Sequence, residues 1–240
     1  ARQGHRAYFL LLVLLLGGSI LLQNVLGLGG NLWVNELVYI LLIPIFLAWR
    51  GKWSWKACFR MKKAPRGVGS LAFVAGIGFW FMNVAILLVL ERLTGSVFGP
   101  MPPIDFGDLG GLQIMLYIAG IVVLAPVCEE IFFRGFLQRA YEGYGVKTSW
   151  LLTGVLFGAM HILNGTTSAV PAAIIGIAIG YLTWLTGSLV PGMWLHAANN
   201  ITSLFGSSVL PEVAELAPPS MRAWLSALAG AALAVLALRQ

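Results

Sequence analysis

Charge is what this sequence has least of. Lys, Arg, Asp and Glu make up 10% of its 240 residues, while 59% are hydrophobic, and soluble domains carry roughly 25% charged residues. An ordinary soluble domain is thereby excluded, and a polytopic membrane protein is expected. Cysteine is nearly absent: Cys58 and Cys128 offer neither a zinc-ligand spacing nor a disulfide framework. No HExxH segment is present, so the helix-borne signature of a zinc protease is missing. The first apolar run lacks a convincing small-residue cleavage site and is long enough to span, so it reads as a transmembrane helix and not as a signal peptide. No inverted repeat relates the halves of the chain, which weakens a reading as a carrier or proton relay.

What the chain does contain is apolar runs punctuated by polar ones. The 29 glycines and nine tryptophans suit membrane helices, where small residues allow close approach and aromatic rings sit at the interfaces. The fold expected is all-α, a single integral membrane bundle over 1–240 with about eight spans. Their approximate ranges are 8–28, 32–49, 70–90, 112–141, 149–163, 170–186, 189–205 and 221–238. The fourth exceeds the thickness of the hydrocarbon and should project from it. Pro171 and Pro191 fall near the starts of the sixth and seventh, where a missing N–H costs little. Gly154/Gly158 and Gly176/Gly180 are spaced as helix-packing faces.

Basic residues orient the bundle. Arg50, Lys52, Lys56, Arg60, Lys62, Lys63 and Arg66 crowd one connection without an acidic residue, interleaved with Trp53, Trp55 and Phe59. Between two spans this pattern predicts a cytoplasmic loop resting on anionic lipid headgroups, not a nucleic-acid surface. Both termini are then cytoplasmic, and Glu36, Glu91, Asp105, Asp108, Glu212 and Glu215 fall on the outer side. The net charge of +6 follows from that topology without an acidic partner.

Chemistry concentrates in A-P-V-C-E-E-I-F-F-R, residues 125–134. A charge at bilayer depth costs on the order of 2.5–3.5 kcal/mol, so three ionisable groups there imply use. Glu130 and Arg134, four apart, share a helix face and neutralise each other. Glu129 points about 100° away and is left for chemistry. Pro126 removes a backbone hydrogen bond and should kink the helix, making room for water. Two more polar positions lie in apolar spans: His161, one turn after Phe157, and His196 with Asn200, one turn apart. A lone histidine in a span is often only a helix–helix hydrogen bond. A glutamate pair, two histidines and an asparagine from three spans supply what peptide hydrolysis needs: a base, an imidazole and oxyanion donors.

E-E-I-F-F-R (129–134), F-G-A-M-H (157–161) and H-A-A-N-N (196–200) resemble the ordered EExxxR, FxxxH and HxxxN motifs of the CAAX prenyl protease and bacteriocin-processing (CPBP, or Abi) family of intramembrane proteases. The resemblance covers about 112–206 and every motif residue is present. It implies an intramembrane endopeptidase in which Glu129 and His161 activate water and His196 and Asn200 stabilise the oxyanion. Glu130 with Arg134 would support the site. The substrate implied is membrane-embedded or lipid-modified, prenylated or signal-type. A metal-independent mechanism is favoured, while a divalent metal such as zinc on Glu129, His161 and His196 stays open. The competing expectation is a catalytically idle relative serving as a structural subunit or chaperone of a membrane complex.

Overall fold

The computed structural model describes residues 1–94, 106–107 and 109–216. Among these residues the regular structure is helical, with one isolated backbone bridge between Met61 and Ser188. The helices are α1 (Arg2–Val34), α2 (Leu42–Arg50), α3 (Trp55–Cys58), α4 (Val68–Thr94), α5 (Gly111–Ala119), α6 (Ala125–Glu130), α7 (Gln138–Tyr141), α8 (Val146–His161), α9 (Thr166–Thr186) and α10 (Val190–Leu216). Three π-helical stretches join neighbours without a break: Asn35–Leu41 links α1 to α2, Gly120–Leu124 links α5 to α6, and Ile131–Leu137 links α6 to α7.

Among the described residues, four helical runs are long and apolar enough to cross a bilayer: Leu21–Arg50, Val68–Thr94, Gly111–Tyr144 and Thr166–Thr186. With the apolar surface they expose, they make this an integral membrane protein. They are fewer than the eight spans expected, and the last of those, 221–238, lies outside the described residues, as do Asp105, Asp108 and the side chains of Glu91, Glu212 and Glu215. The sixth helix begins at Thr166, so Pro171 stands inside it and not at its start.

Gly27 explains how the first two expected helices become a hairpin. Its φ of 67° and ψ of 179° break α1, a conformation open to glycine and costly for residues with a Cβ. The break frees backbone groups on both sides, and one side chain satisfies them: Gln113 Nε2 donates to Leu26 O at 3.0 Å, and Gly29 N donates to Gln113 Oε1 at 2.9 Å. The two arms then lie together, with Asn31 and Asn35 both donating to Ser19 Oγ at 3.0 and 3.1 Å. Glu36, assigned to the outer side by the sorting of charges, is no exposed loop residue. It is 3% exposed, inside the π-helical stretch that packs on α6.

Small residues set the helix spacing around the motif segment. A Cβ on Gly154 would stand 2.6 Å from Ile177 N, one on Gly158 2.5 Å from Ala169 O, and one on Gly76 2.2 Å from Leu195 O. Backbone therefore touches backbone between α8 and α9 and between α4 and α10. Arg134 and Gln138, one turn apart, donate to Gly176 O at 2.9 Å and Gly180 O at 3.0 Å. The glycine pair expected only to pack thus also presents a ladder of acceptors to the motif segment.

The basic connection is docked, not merely laid on a surface. Cys58, Phe59 and Arg60 are buried, while Arg50, Lys52, Lys56, Lys62, Lys63 and Arg66 are exposed. Arg60 turns inward at a φ of 46°, donates to Arg134 O at 3.2 Å and pairs with Glu142. Burial pushes the Cys58 thiol above its ordinary pKa, with Arg139 pulling the other way. Ser188 Oγ donates to Lys62 O at 2.7 Å, fastening the connection to the turn before α10.

Candidate active site

Every motif residue lies on one of three elements that meet. Glu129 and Glu130 end α6, and Arg134 follows in the π-helical stretch. Phe157 and His161 close α8, and His196 and Asn200 sit in the second turn and beyond of α10. By helix spacing Glu129 and Glu130 point in different directions. The structure turns both toward one imidazole: His196 Nδ1 is 3.0 Å from Glu130 Oε1, and His196 Nε2 is 3.7 Å from Glu129 Oε2.

Glu130 is the anchored member. Its Oε1 accepts from Arg134 Nη1 at 3.0 Å, and both side chains are fully buried. Breaking such a buried pair costs about 3–5 kcal/mol because it strands a charge. Arg134 also lies over the Phe157 ring, 4.6 Å from its centroid. Glu130 Oε1, which accepts from Arg134, accepts from His196 Nδ1–H as well, and His196 Nε2 is directed at Glu129. Glu129 is 6% exposed and its Oε2 is buried without a hydrogen-bond partner. At 3.7 Å, His196 Nε2 lies beyond direct hydrogen-bonding distance, so neither it nor Glu129 Oε2 is satisfied by the other.

His161 is placed differently. Its Nδ1 lies 2.9 Å from Phe157 O, and since a carbonyl only accepts, Nδ1 carries the proton and Nε2 keeps its lone pair. Among the described residues His161 makes no ion pair with either glutamate. Phe157 connects the two histidines, with its ring 4.5 Å from that of His161 and 5.6 Å from that of His196. The FxxxH phenylalanine is thus the partition against which both imidazoles and the guanidinium rest.

Pro126 acts through a register change and not through a bare kink. The π-helical stretch before it carries Ala125 N–H to Gly120 O, a step of five residues. The next donor in that register would be residue 126, which has no N–H, and the acceptor left bare is Ile121 O. Asn200 Nδ2 fills the vacancy at 3.0 Å. Asn200 therefore ties α10 to the proline step with one N–H and retains the other.

The metal alternative can be tested against these positions. Among the described residues no group of three or more His, Cys, Asp and Glu stands where one ion would join them. His196 has Nδ1 committed to Glu130, and His161 has Nδ1 committed to Phe157 O. Glu129, His161 and His196 as they stand do not fit a three-ligand centre, and no step is derived through a metal.

The spacing argument left out one acid. Glu36 lies within electrostatic reach of Glu129 and Cys128, and its Oε2 is buried without a partner. An acid inside a run that itself reads as a span was the available signal.

With this geometry in place, comparison with known proteins can be weighed. Residues 111–202 match the Rce1-like family, described as type II CAAX prenyl endopeptidase Rce1-like. This segment belongs to that family. The match begins at α5 and ends just past Asn200, so it contains the three motif elements and omits the hairpin and α4. The chain is also 30% identical over 184 residues to the uncharacterized protein YyaK of Bacillus subtilis (strain 168), covering 71% of this chain and 59% of that protein. An uncharacterized 24.3 kDa protein of Escherichia coli is 25% identical over 174 residues, covering 70% of this chain and 77% of its own length. The family is one of peptidases by its description, and neither relative's name carries an activity.

Proposed function

We propose that this chain is an intramembrane endopeptidase of the CAAX-processing type, hydrolysing a peptide bond in a membrane-associated or lipid-modified substrate. The observation that carries the reading is the meeting of Glu129 and His196 across 3.7 Å, with His161 held in one tautomer behind the same phenylalanine. Water bound at Glu129 gives a proton to the carboxylate as its oxygen attacks the scissile carbonyl carbon. His161 Nε2 is the second acceptor available to orient that water. The tetrahedral oxyanion is stabilised by His196, held through Nδ1 by Glu130, and by the second Asn200 N–H. The C–N bond then breaks, and the proton held by Glu129 passes to the leaving amine.

This mechanism is metal-independent, and Glu130, Arg134 and Phe157 serve it by holding the acceptors in place. The six exposed basic residues of the 50–66 connection give it a cytoplasmic, anionic-lipid-facing surface and set both termini on the same side. A substrate tethered by a lipid would approach from that surface. Comparative peptidomics of membranes containing the wild type or Glu129→Gln tests the assignment. Peptide termini present only with the wild type are expected, and they name the substrate. Identical peptide sets from the two membranes would overturn it.

A further inference from the structure

Hydrolysis consumes a water at each turnover, yet Glu129 is 6% exposed and Cys128 beside it is fully buried. A supply route must leave a trace in polar atoms that no protein group satisfies. Buried acceptors are nearly always hydrogen-bonded, to water where protein fails. Within the N-terminal hairpin and the face of α6 it covers, four such oxygens occur: Asn31 Oδ1, Asn35 Oδ1, Glu36 Oε2 and Glu129 Oε2. Asn31 and Glu36 are themselves 6% and 3% exposed.

The residues that carry them lie on one arm of the hairpin and on the helix it packs against. Asn31 and Asn35, one turn apart, converge on Ser19 Oγ. Glu36 is the next residue, and its element packs on α6 within electrostatic reach of Glu129. Toward the Gly27 turn, Gln23 lies one turn on from Ser19 along the same arm and is exposed. We propose that the polar seam Ser19–Asn31–Asn35–Glu36 between the arms of the hairpin is a water conduit that feeds Glu129. Its purpose rests on the hydrolytic reading, but its existence does not. Glu36 serves as a positioning residue that holds the last water before Glu129, and the seam lies outside the segment shared with the Rce1-like family.

X-ray-generated hydroxyl-radical footprinting of the full chain in lipid nanodiscs tests the conduit without reference to cleavage. Radicals form from water in place, so Cys128 should be oxidised despite its burial, with Cys58 as the internal reference. Leucine at both Asn31 and Asn35 fills the seam and should lower Cys128 oxidation by at least about fivefold relative to Cys58. Ser19→Ala removes one hydroxyl without adding bulk and should lower it by about half; it decides the matter if the double variant does not fold. Absence of Cys128 oxidation in the wild type, or oxidation unchanged in the folded seam variants, overturns the conduit. Loss of cleavage in Glu129→Gln remains the separate test of hydrolysis.

Discussion

The two sides of α6 handle the same chemical group in opposite ways. On one side, Glu130 Oε1 is shared between Arg134 and His196, and Arg134 and Gln138 reach the carbonyls of Gly176 and Gly180, so that each side chain is held although Glu130 Oε2, Arg134 Nε and Gln138 Oε1 stay unpartnered. On the other, Glu36 and Glu129 each turn a buried oxygen toward no protein donor. Buried charge that is cross-linked specifies a structure, whereas buried charge left open costs stability and is retained for chemistry. Under the proposed function the motif divides its labour: its second acid builds the site and its first one works in it.

The largest effect expected from breaking this contrast is on the cross-linked side. Arg134→Leu strands the Glu130 carboxylate and should destabilise the protein by about 3–5 kcal/mol, read as a fall in unfolding temperature in detergent. Gly154→Ala pushes a methyl against the Ile177 backbone at 2.6 Å and should cost about 1–3 kcal/mol by the same measurement. Asn200→Ala leaves Ile121 O bare and should cost about 1–2 kcal/mol. Pro126→Ala restores the missing N–H and should recover part of that loss, a coupling that a double-mutant cycle measures.

The open side should respond less. Glu36→Gln replaces a carboxyl group that no protein donor holds with an amide of the same shape, and its effect on stability should stay under about 1 kcal/mol. Gly17, beside which an added Cβ meets nothing within 4 Å, sets the floor. Gly17→Ala should be neutral or stabilising by up to about 1 kcal/mol through helix propensity.

Much of this was legible in the residues. Helix positions and the motif elements follow from hydropathy and one-turn spacing, because both survive translation into three dimensions. The joint approach of Glu129 and Glu130 to His196 was not legible. It depends on π-helical stretches before and after α6, and one extra residue per turn leaves no mark on hydrophobic periodicity. Asn200's bond to Ile121 O is hidden for the same reason, since the acceptor freed by Pro126 depends on the register. Arg60 is indistinguishable by composition from the six exposed basic residues around it, and only the fold shows it reaching Arg134 O. Glu36 was misplaced for a simpler reason: sorting charges by side of the membrane treated it as loop, although its neighbours read as a span.

The proposed function makes Glu129 the working acid and Glu130 the structural one. Purified wild type, Glu129→Gln and Glu130→Gln should be compared for cleavage of a substrate found by peptidomics and for unfolding temperature in the same detergent. The account predicts that Glu129→Gln keeps the wild-type unfolding temperature and loses about 100-fold or more of its cleavage rate, while Glu130→Gln loses stability. A folded Glu129→Gln protein that cleaves at the wild-type rate would contradict it.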